Sequence, residues 1–393
     1  MSNFYYIHKL LNLQDFIITD LQFSDNSTNV FVELPTKPHL CPHCNNLTSY
    51  IHDYRIQKIK DIPIYKAPCF IFYRKRRYFC PHCLKKFYES NHFVQRYLHM
   101  SSRLNMWVVN ALMSTHSMAS IASDLHVSAP TIARILSKLT FSHISTLPSV
   151  LAIDEFKGDT SFGKYQCIIT DPSKRKTLDI LPTRNELALR AYFRRFSLSQ
   201  RNTVSHIVID MWKPYYSCMS SLFPKATIII DRFHFVRQCT WALENVRKRL
   251  QKELPKADRL YFKHSKKLLL KRSENLSYDE LFQLRRMFIL KPELERAYTI
   301  KENFYYFLES EDSTTAAIRL DAWLDDVKRS NLKEFNSCIS AFTNWRKPIL
   351  NSFSAPYSNG FTEGFNNKIK VIKRNAFGLS NFANFRNRIL LNS

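Results

Sequence analysis

Two copies of one tetrapeptide, Cys41-Pro42-His43-Cys44 and Cys80-Pro81-His82-Cys83, constrain this chain more than any other feature. Each C-x-x-C turn offers two thiolates, and two such turns complete a tetrahedral four-sulfur site of the kind zinc takes. The nine cysteines are an odd number, and knuckles of this spacing argue against a disulfide scaffold. A redox dithiol or a chance pairing is the competing reading, and two matching knuckles weigh against both. The segment between them reads as strands, because Ile56–Lys60 and Phe70–Arg74 alternate. A zinc ribbon-like module is therefore predicted over residues 1–95, with structural Zn²⁺ on Cys41, Cys44, Cys80 and Cys83. His43 and His82 lie inside the knuckles as alternative ligands, but an all-cysteine site is simpler. The basic run Arg74-Lys75-Arg76-Arg77 reads either as a solvated edge strand or as a phosphate contact.

Charge sets the class of partner. Across 393 residues, 58 Lys and Arg stand against 33 Asp and Glu, a formal net charge of +25. The excess runs through the whole chain and is densest between Arg247 and Arg286, so a polyanion, most simply nucleic acid, is the expected partner. The length suggests two or three domains. The composition is 45% hydrophobic and 14% aromatic, enough for packed cores and unlike a disordered basic tail. Only five glycines occur. No G-x-G-x-x-G or G-x-x-x-x-G-K-[ST] is present, which argues against a Rossmann dinucleotide site or a P-loop. No run of 18 apolar residues occurs, and the opening MSNFYYIHKL lacks a signal-peptide pattern. A soluble, cytoplasmic protein without membrane partners is expected.

Residues 117–139 carry a helical pair. Met118, Ile121, Ala122 and Leu125 fall at i, i+3, i+4, i+7, and Ile132, Ile135, Leu136 and Leu139 repeat that spacing. Ser128 can N-cap the second helix, with Pro130 in its first turn. The stretch resembles the bacterial helix-turn-helix signature. His126 replaces the usual turn glycine, a tolerable change because His is enriched at positive φ. Leu104, Trp107, Val108, Ala111 and Leu112 would supply a preceding helix to a trihelical core. A DNA-binding domain is predicted over 96–145, with Ser128, Thr131 and Arg134 at the major-groove end of the second helix. An ordinary helical hairpin is the bland alternative.

After Pro148 the pattern changes to strands. SVLAIDE (149–155), SHIVID (205–210) and ATIIID (226–231) are buried runs ending in Asp154, Asp210 and Asp231. KYQCIIT (164–170) and Thr177–Leu181 add two strands, and Arg184–Phe196 a basic helix. Such a mix predicts a mixed α/β sheet. Acids gathered at strand ends repel one another unless a cation neutralises them, and hard oxygen ligands favour Mg²⁺ or Mn²⁺. Far downstream, Phe361, Phe365, Ile369 and Ile372 mark one helical face, while Glu363, Asn367, Lys370 and Arg374 mark another. A helix of this kind aims one carboxylate at a metal site and sends Lys370 and Arg374 along a phosphate backbone. Gly364 within it implies close approach to the backbone.

Asp154, Asp210 and Glu363 resemble the DDE triad of RNase H-like transposases in kind and order. IDEF (153–156), IDMWKPY (209–215), FPKATIIIDRFHFVRQ (223–238) and SNGFTEGFNNKIKVIKRNAFG (358–378) are similar to the ISL-three family of bacterial insertion sequences. The paired knuckles and the helix-turn-helix match that family in order and position. The resemblance implies a catalytic core in two parts, 148–236 and 353–393, interrupted by an α-helical insertion over 237–352. Trp241, Val246, Leu250 and Leu254 are spaced as one of its helices. Asp231 and His234 belong to the family's DRFH pattern and are placed outside the triad, Asp231 as a supporting ligand or helix cap.

The whole is thus predicted as a multidomain α/β protein: zinc ribbon-like module, helix-turn-helix, and RNase H-like mixed-sheet catalytic domain with an α-helical insertion. The resemblance implies a transposase that binds the ends of its element as double-stranded DNA, as a homo-oligomer associated with the bacterial nucleoid. Two Mg²⁺ ions on Asp154, Asp210 and Glu363 would serve strand cleavage, and strand transfer is implied by the family. The rival readings are a non-catalytic or domesticated DNA-binding regulator and a nuclease without strand transfer.

Overall fold

The structure, a computed structural model, describes residues 13, 15–24, 26–263, 265–376 and 379–393. The opening decapeptide, and Phe377 and Gly378 of the Glu363 segment, lie outside them. The described residues pack as two units, one reaching to Phe141 and including Val371–Asn392, the other Ser142–Lys370 with Ser393.

In the first unit, β1 (Ile17–Ser24), β2 (Ser27–Glu33), β3 (His39–Leu40), β4 (Leu47–Thr48), β5 (Ile51–Ile64), β6 (Ala67–Phe79) and β7 (Lys86–Tyr88) follow in order. The main sheet runs β1-β2-β6-β5, with β7 also on β6, while β3 and β4 pair separately. The alternation read at 56–60 and 70–74 extends into one long β5–β6 hairpin. Its two-residue turn, Tyr65 and Lys66, has φ of 48° and 65°, as the twist of a tight hairpin demands. Val30, Val32, Ile59, Ile71 and Tyr73 form the core.

The basic run 74–77 is not an edge. β5 pairs with all four residues, on the other side Glu89 N donates to Arg76 O and β7 pairs from Arg77, and Arg76 is buried, donating to Leu34 O at 2.6 Å and lying 3.3 Å from Glu89 Oε2. Arg77 pairs with Asp53, and Arg74 lies over Tyr54. These charges mostly hold the sheet together.

Three helices follow: α1 (Ser102–Leu112), α2 (Met118–Asp124) and α3 (Ala129–Lys138). Ser101, Ser117 and Ser128 N-cap them through side-chain oxygens that accept from Leu104 N, Ser120 N and Thr131 N. Leu104, Val108, Leu112, Ile121, Ile132, Ile135 and Leu136 make the core. Trp107 departs from expectation and is 52% exposed, because the buried stripe of α1 is the narrow i, i+4, i+8 set. His126 takes the turn at φ 51°. Its carbonyl accepts from Lys60 Nζ, and its Nε2 lies 2.7 Å from Lys66 O, which ties the turn to the β5–β6 hairpin.

The helix Phe382–Leu391, read from sequence as the end of the catalytic core, packs in this first unit. Asn387 Nδ2 donates to Leu136 O and Leu139 O, and Arg388 donates to Ser114 O and His116 O. These carbonyls stand at or beyond the ends of α3 and α1, where a helix runs short of donors of its own.

The second unit is built on β8 (Val150–Thr160), β9 (Gly163–Asp171), β10 (Lys176–Leu181), β11 (His206–Ile209) and β12 (Thr227–Ile230). The sheet order is β10-β9-β8-β11-β12; β8, β9 and β10 pair antiparallel, while β11 pairs parallel with β8 and β12. Asp154 thus stands on the first strand and Asp210 after the fourth, as the RNase H-like reading requires. One face, carrying Leu151, Ile153, Ile207, Ile209 and Ile230, packs with α4 (Glu186–Phe193) and α5 (Lys213–Leu222). The same core continues through α6 (Arg232–Glu253), α7 (Tyr278–Leu290), α8 (Pro292–Leu308), α9 (Ser313–Ser330) and α10 (Asn336–Asn344). These helices occupy the stretch read from sequence as an α-helical insertion over 237–352, and the first of them begins at Arg232. Part of the basic block in this stretch is paired within the protein. Arg247 is buried against Glu244 and Phe262 O, and Arg249 meets Glu253, Glu293 and Glu334. Of the four residues spaced as one helix, Val246, Leu250 and Leu254 are buried and Trp241 is half exposed beneath Arg237. Helix α11 (Gly360–Asn375) buries Phe365, Ile369 and Ile372. Among the described residues, no helix is long and apolar enough to cross a membrane.

Candidate active site and metal centres

The opposite face of the second sheet carries small side chains. Ala152, Val208 and Ile229 are direct cross-strand partners and form a small apolar cluster there. Side chains alternate along a strand with a period of two, so the same face next presents Asp154, Asp210 and Asp231. The parallel ladder stops at Ile153↔Ile209, one residue short of the first two acids. Asp154 is therefore not at the end of its strand, as expected, but inside β8, which continues to Thr160 as a hairpin with β9. It is the shortness of β11 that opens the sheet beside it.

Helix α11 supplies the fourth carboxylate. Thr362 meets Thr170 on β9, hydroxyl to hydroxyl, at 2.8 Å in a buried contact. Asn359 N donates to Asp231 Oδ1 at 3.0 Å. Asn366 Nδ2 donates to Asp154 Oδ2 at 2.8 Å, and Glu155 N donates to Asp154 Oδ1 at 2.7 Å. The helix is thus pinned at three places, with Glu363 between them. Asp231 makes no side-chain cap bond to α6; its carboxylate serves Asn359 instead. Outside its own helix, none of the described residues lies within 4 Å of a Cβ built on Gly364, so they do not make the close approach inferred from that glycine.

Asp154, Asp210 and Glu363 line one cleft of about 590 Å³, together with Arg184, His234, Arg237 and Lys370. Burial and then the neighbouring Asp210 push the Asp154 carboxyl up to about 7. Burial also raises Asp231 and Glu363, and in Glu363 the Asp231 charge adds to it. For His234, burial works against the imidazolium and the adjoining Asp210 carboxylate outweighs it, so its pKa is raised. Asp231, His234 and Glu363 present ligand atoms within 4.8 Å of one another. The two DRFH residues left outside the triad therefore stand against its glutamate. Arg184 pairs with Glu155 and lies over the rings of Tyr165 and Trp212. Arg184, Arg237 and Asn366 were missed in the sequence; the i, i+3 spacing of Glu363 and Asn366 was the available signal for the last.

The four knuckle sulfurs converge. Cys41 and Cys83 Sγ are 3.5 Å apart, as are Cys44 and Cys80 Sγ, and all four lie within 4.8 Å. A zinc–sulfur bond of about 2.3 Å implies sulfurs roughly 3.8 Å apart in a tetrahedron, so the donor set fits. Both knuckles close alike: Asn45 N donates to Cys41 O, Leu84 N donates to Cys80 O, and Asn45 and Leu84 have φ of 58° and 61°. Burial opposes ionisation of Cys41, but the N–H groups of His43 and Cys44 and the adjoining thiols draw it down to about 7. Although the Lys85 N–H favours the thiolate of Cys83, burial and neighbouring sulfurs push it up to about 12. Four thiolates coexist there only around a cation.

On the helix-turn-helix, Ser128 is engaged as the N-cap, Thr131 is half-buried and Arg134 is exposed. Lys370 reaches the acid cleft, with Nζ 3.0 Å from Asn367 Oδ1. Arg374 is exposed and does not line it.

Residues 151–389 match the DDE transposase family of the ISL3 type, described as a transposase. Residues 37–83 match the zinc-finger of the transposases of IS204, IS1001, IS1096 and IS1165, and residues 89–140 the helix-turn-helix domain of transposase family ISL3. The chain is similar to the transposase for insertion sequence element IS1001 of Bordetella parapertussis, with 24% identity covering 89% of this chain and 87% of that protein. It is 22% identical to the transposase for insertion sequence element IS1557 of Mycobacterium tuberculosis, over 55% of this chain and 53% of that protein. A Lactococcus lactis protein named ATP-dependent protease is 29% identical over 25% of this chain and 31% of its own length. With more than half its length inside the first match, and its zinc-finger and helix-turn-helix segments alongside, the chain belongs to the ISL3 family of transposases.

Proposed function

We propose that this chain binds the ends of a bacterial insertion sequence as double-stranded DNA and cuts and joins strands at Asp154, Asp210 and Glu363. The observation that carries the reading is the row of carboxylates on one sheet face, met by Glu363 from α11 in a cleft lined by Arg184, Arg237 and Lys370. The donor set suits a hard divalent cation, since buried acids this close stay protonated unless a cation offsets their charge. Magnesium or manganese held there would activate the attacking water or 3′-hydroxyl and stabilise the leaving oxygen. The chain's own work is positioning. Asn366 fixes one oxygen of Asp154, and His234 holds Asp210. Arg184, Arg237 and Lys370 draw the phosphate backbone to the acids.

Recognition of the ends is assigned to α3 through Thr131 and Arg134, with Ser128 shaping its first turn. Lys370 and Arg374 would add backbone contacts. Zinc on Cys41, Cys44, Cys80 and Cys83 is structural in this reading, and the protein acts in the cytoplasm on nucleoid DNA as a homo-oligomer. The test is incubation with Mg²⁺ and duplex DNA bearing the element's ends. Cleavage followed by joining is expected, and Asp154→Ala, Asp210→Ala and Glu363→Ala should bind the ends but leave them uncut. A variant that cuts at the full rate removes its residue from the site. Cleavage without joining would make the chain a nuclease only.

A further inference from the structure

A second cavity of the catalytic unit, about 930 Å³, holds none of the acids. It opens between α5, the start of α9 and the segment after α10, and its lining includes Lys213, Tyr216, Trp345, Arg346 and Lys347. No carboxylate lines it. Arg346 is held by a two-point pairing with Asp321, at 2.5 and 2.8 Å. Lys213 and Lys347 are exposed and have no carboxylate partner among the described residues. Tyr216 and Trp345 are half-buried and meet edge to face, ring centroids 5.6 Å apart, so an aromatic surface stands between cations.

The place of this cavity along the chain matters as much as its lining. Met211 and Trp212 line the acid cleft and Lys213 lines the cavity. Three peptide steps separate Asp210 from Lys213, a span of at most about 11 Å between Cα atoms. One short stretch of chain, from Asp210 to Lys213, thus joins the acid cleft to the second cavity. Aromatic faces with flanking cations hold a base and its phosphate without reading sequence.

We propose that this cavity holds a nucleotide of the DNA strand engaged at the acid cleft, its base against Trp345 and Tyr216 and its phosphate against Lys213 and Lys347. The proposal rests on the reading of the chain as an enzyme that acts on DNA. A single diester charge suits two lysines. A free triphosphate would want a nest of N–H groups, and at the start of α9, which lines the cavity, Asp312 already accepts from Thr314 N at 2.7 Å and Thr315 N at 2.9 Å.

The experiment is photocrosslinking of the full, zinc-loaded chain, without added Mg²⁺ or Mn²⁺, to a single-stranded oligonucleotide of about 15 residues carrying 5-iododeoxyuridine. Adducts are mapped by mass spectrometry. Trp345 or Tyr216 should carry the label, and Lys347→Glu should lower that adduct roughly fivefold with the melting curve unchanged. Adducts confined to other residues would overturn the assignment. So would loss of the Trp345 or Tyr216 adduct to excess thymidine triphosphate, which would mark the cavity as a site for a free nucleotide. Failure of the chain to bind either this oligonucleotide or duplex ends would bring down the DNA-processing reading itself, and the cavity assignment with it.

Discussion

His234 Nε2 lies 2.9 Å from Asp210 Oδ1. One imidazole on the first turn of α6 thereby holds the acid at the end of β11, while Asp231 and Glu363 stand within 4.8 Å of it. The histidine joins the strand-end acids to the acid of α11. A ligand held by a second group keeps its orientation when a cation arrives, and losing such a partner commonly costs ten- to a hundredfold.

His234→Ala should therefore slow Mg²⁺-dependent cleavage about 10- to 100-fold and leave binding to the element's ends unchanged. Single-turnover cleavage across a range of Mg²⁺ concentrations is the measurement. Recovery at high Mg²⁺ would show the loss in metal affinity, and persistence would show it in the chemical step. A rate equal to the parent's at every concentration would remove His234 from the site.

Asp154 gives a pH prediction. Its folded pKa of about 7 lies above the ordinary 3.8. Between those values the folded state binds the proton more tightly than the unfolded state, so stability falls as pH rises toward 7 and stays reduced above it. The penalty is at most roughly 4 kcal/mol. Without metal, Asp154→Asn should therefore melt above the parent at pH 8.5, and the gap should shrink at pH 5.5. Asn366 can serve either side chain, since its buried Oδ1 has no partner and the amide can turn. Equal melting at pH 8.5 would show that Asp154 is not under this strain.

The knuckles predict one zinc per chain. Cys44→Ser should release it and unfold the N-terminal module, because binding energy at such sites is folding energy. The turn of the helix-turn-helix is tied to the β5–β6 hairpin through His126 and Lys60, so end recognition should weaken with it. Elemental analysis that finds no zinc in a folded parent protein would sink the assignment.

What could be read in the sequence was local. The knuckles, the serine caps and the apolar periods of α2, α3 and α11 are set by neighbours within a few residues, and the structure keeps them. What could not be read depends on distant partners. Arg76 reads as one more surface cation until Glu89 and Leu34 surround it. Asp231 reads as a helix cap until Asn359, far along the chain, takes its carboxylate. Asp154 looked like a strand end because FKGDT after it is polar, yet β9 pairs with that stretch. Asn366 needed the register of α11 on the sheet, which no spacing supplies.

Sequence alone suggests that residues 1–145 make a separable DNA-reading fragment, and the packing of the last helix argues otherwise. Asn387 Nδ2 donates at 3.0 and 2.9 Å to Leu136 O and Leu139 O, where the recognition helix ends. Asn392 Nδ2 donates at 3.0 Å to Leu112 O at the end of α1. Arg388, buried deeply enough that its pKa falls to about 10, serves Ser114 O and His116 O at 2.8 Å each. A fragment ending at 145 would leave these carbonyls without their donors and would lose the cover of Phe385 and Ile389, both buried in the whole chain. Those two side chains alone are worth about 1.5–3 kcal/mol each, a large share of the roughly 5–15 kcal/mol that holds a domain folded. The fragment should melt far below the parent protein and fail to distinguish element ends from random DNA. Adding a peptide of residues 379–393 should restore both. Circular dichroism melting and competition binding at fixed salt, with and without the peptide, decide it. A bare fragment that discriminates as well as the full chain would show the last helix to be dispensable for recognition.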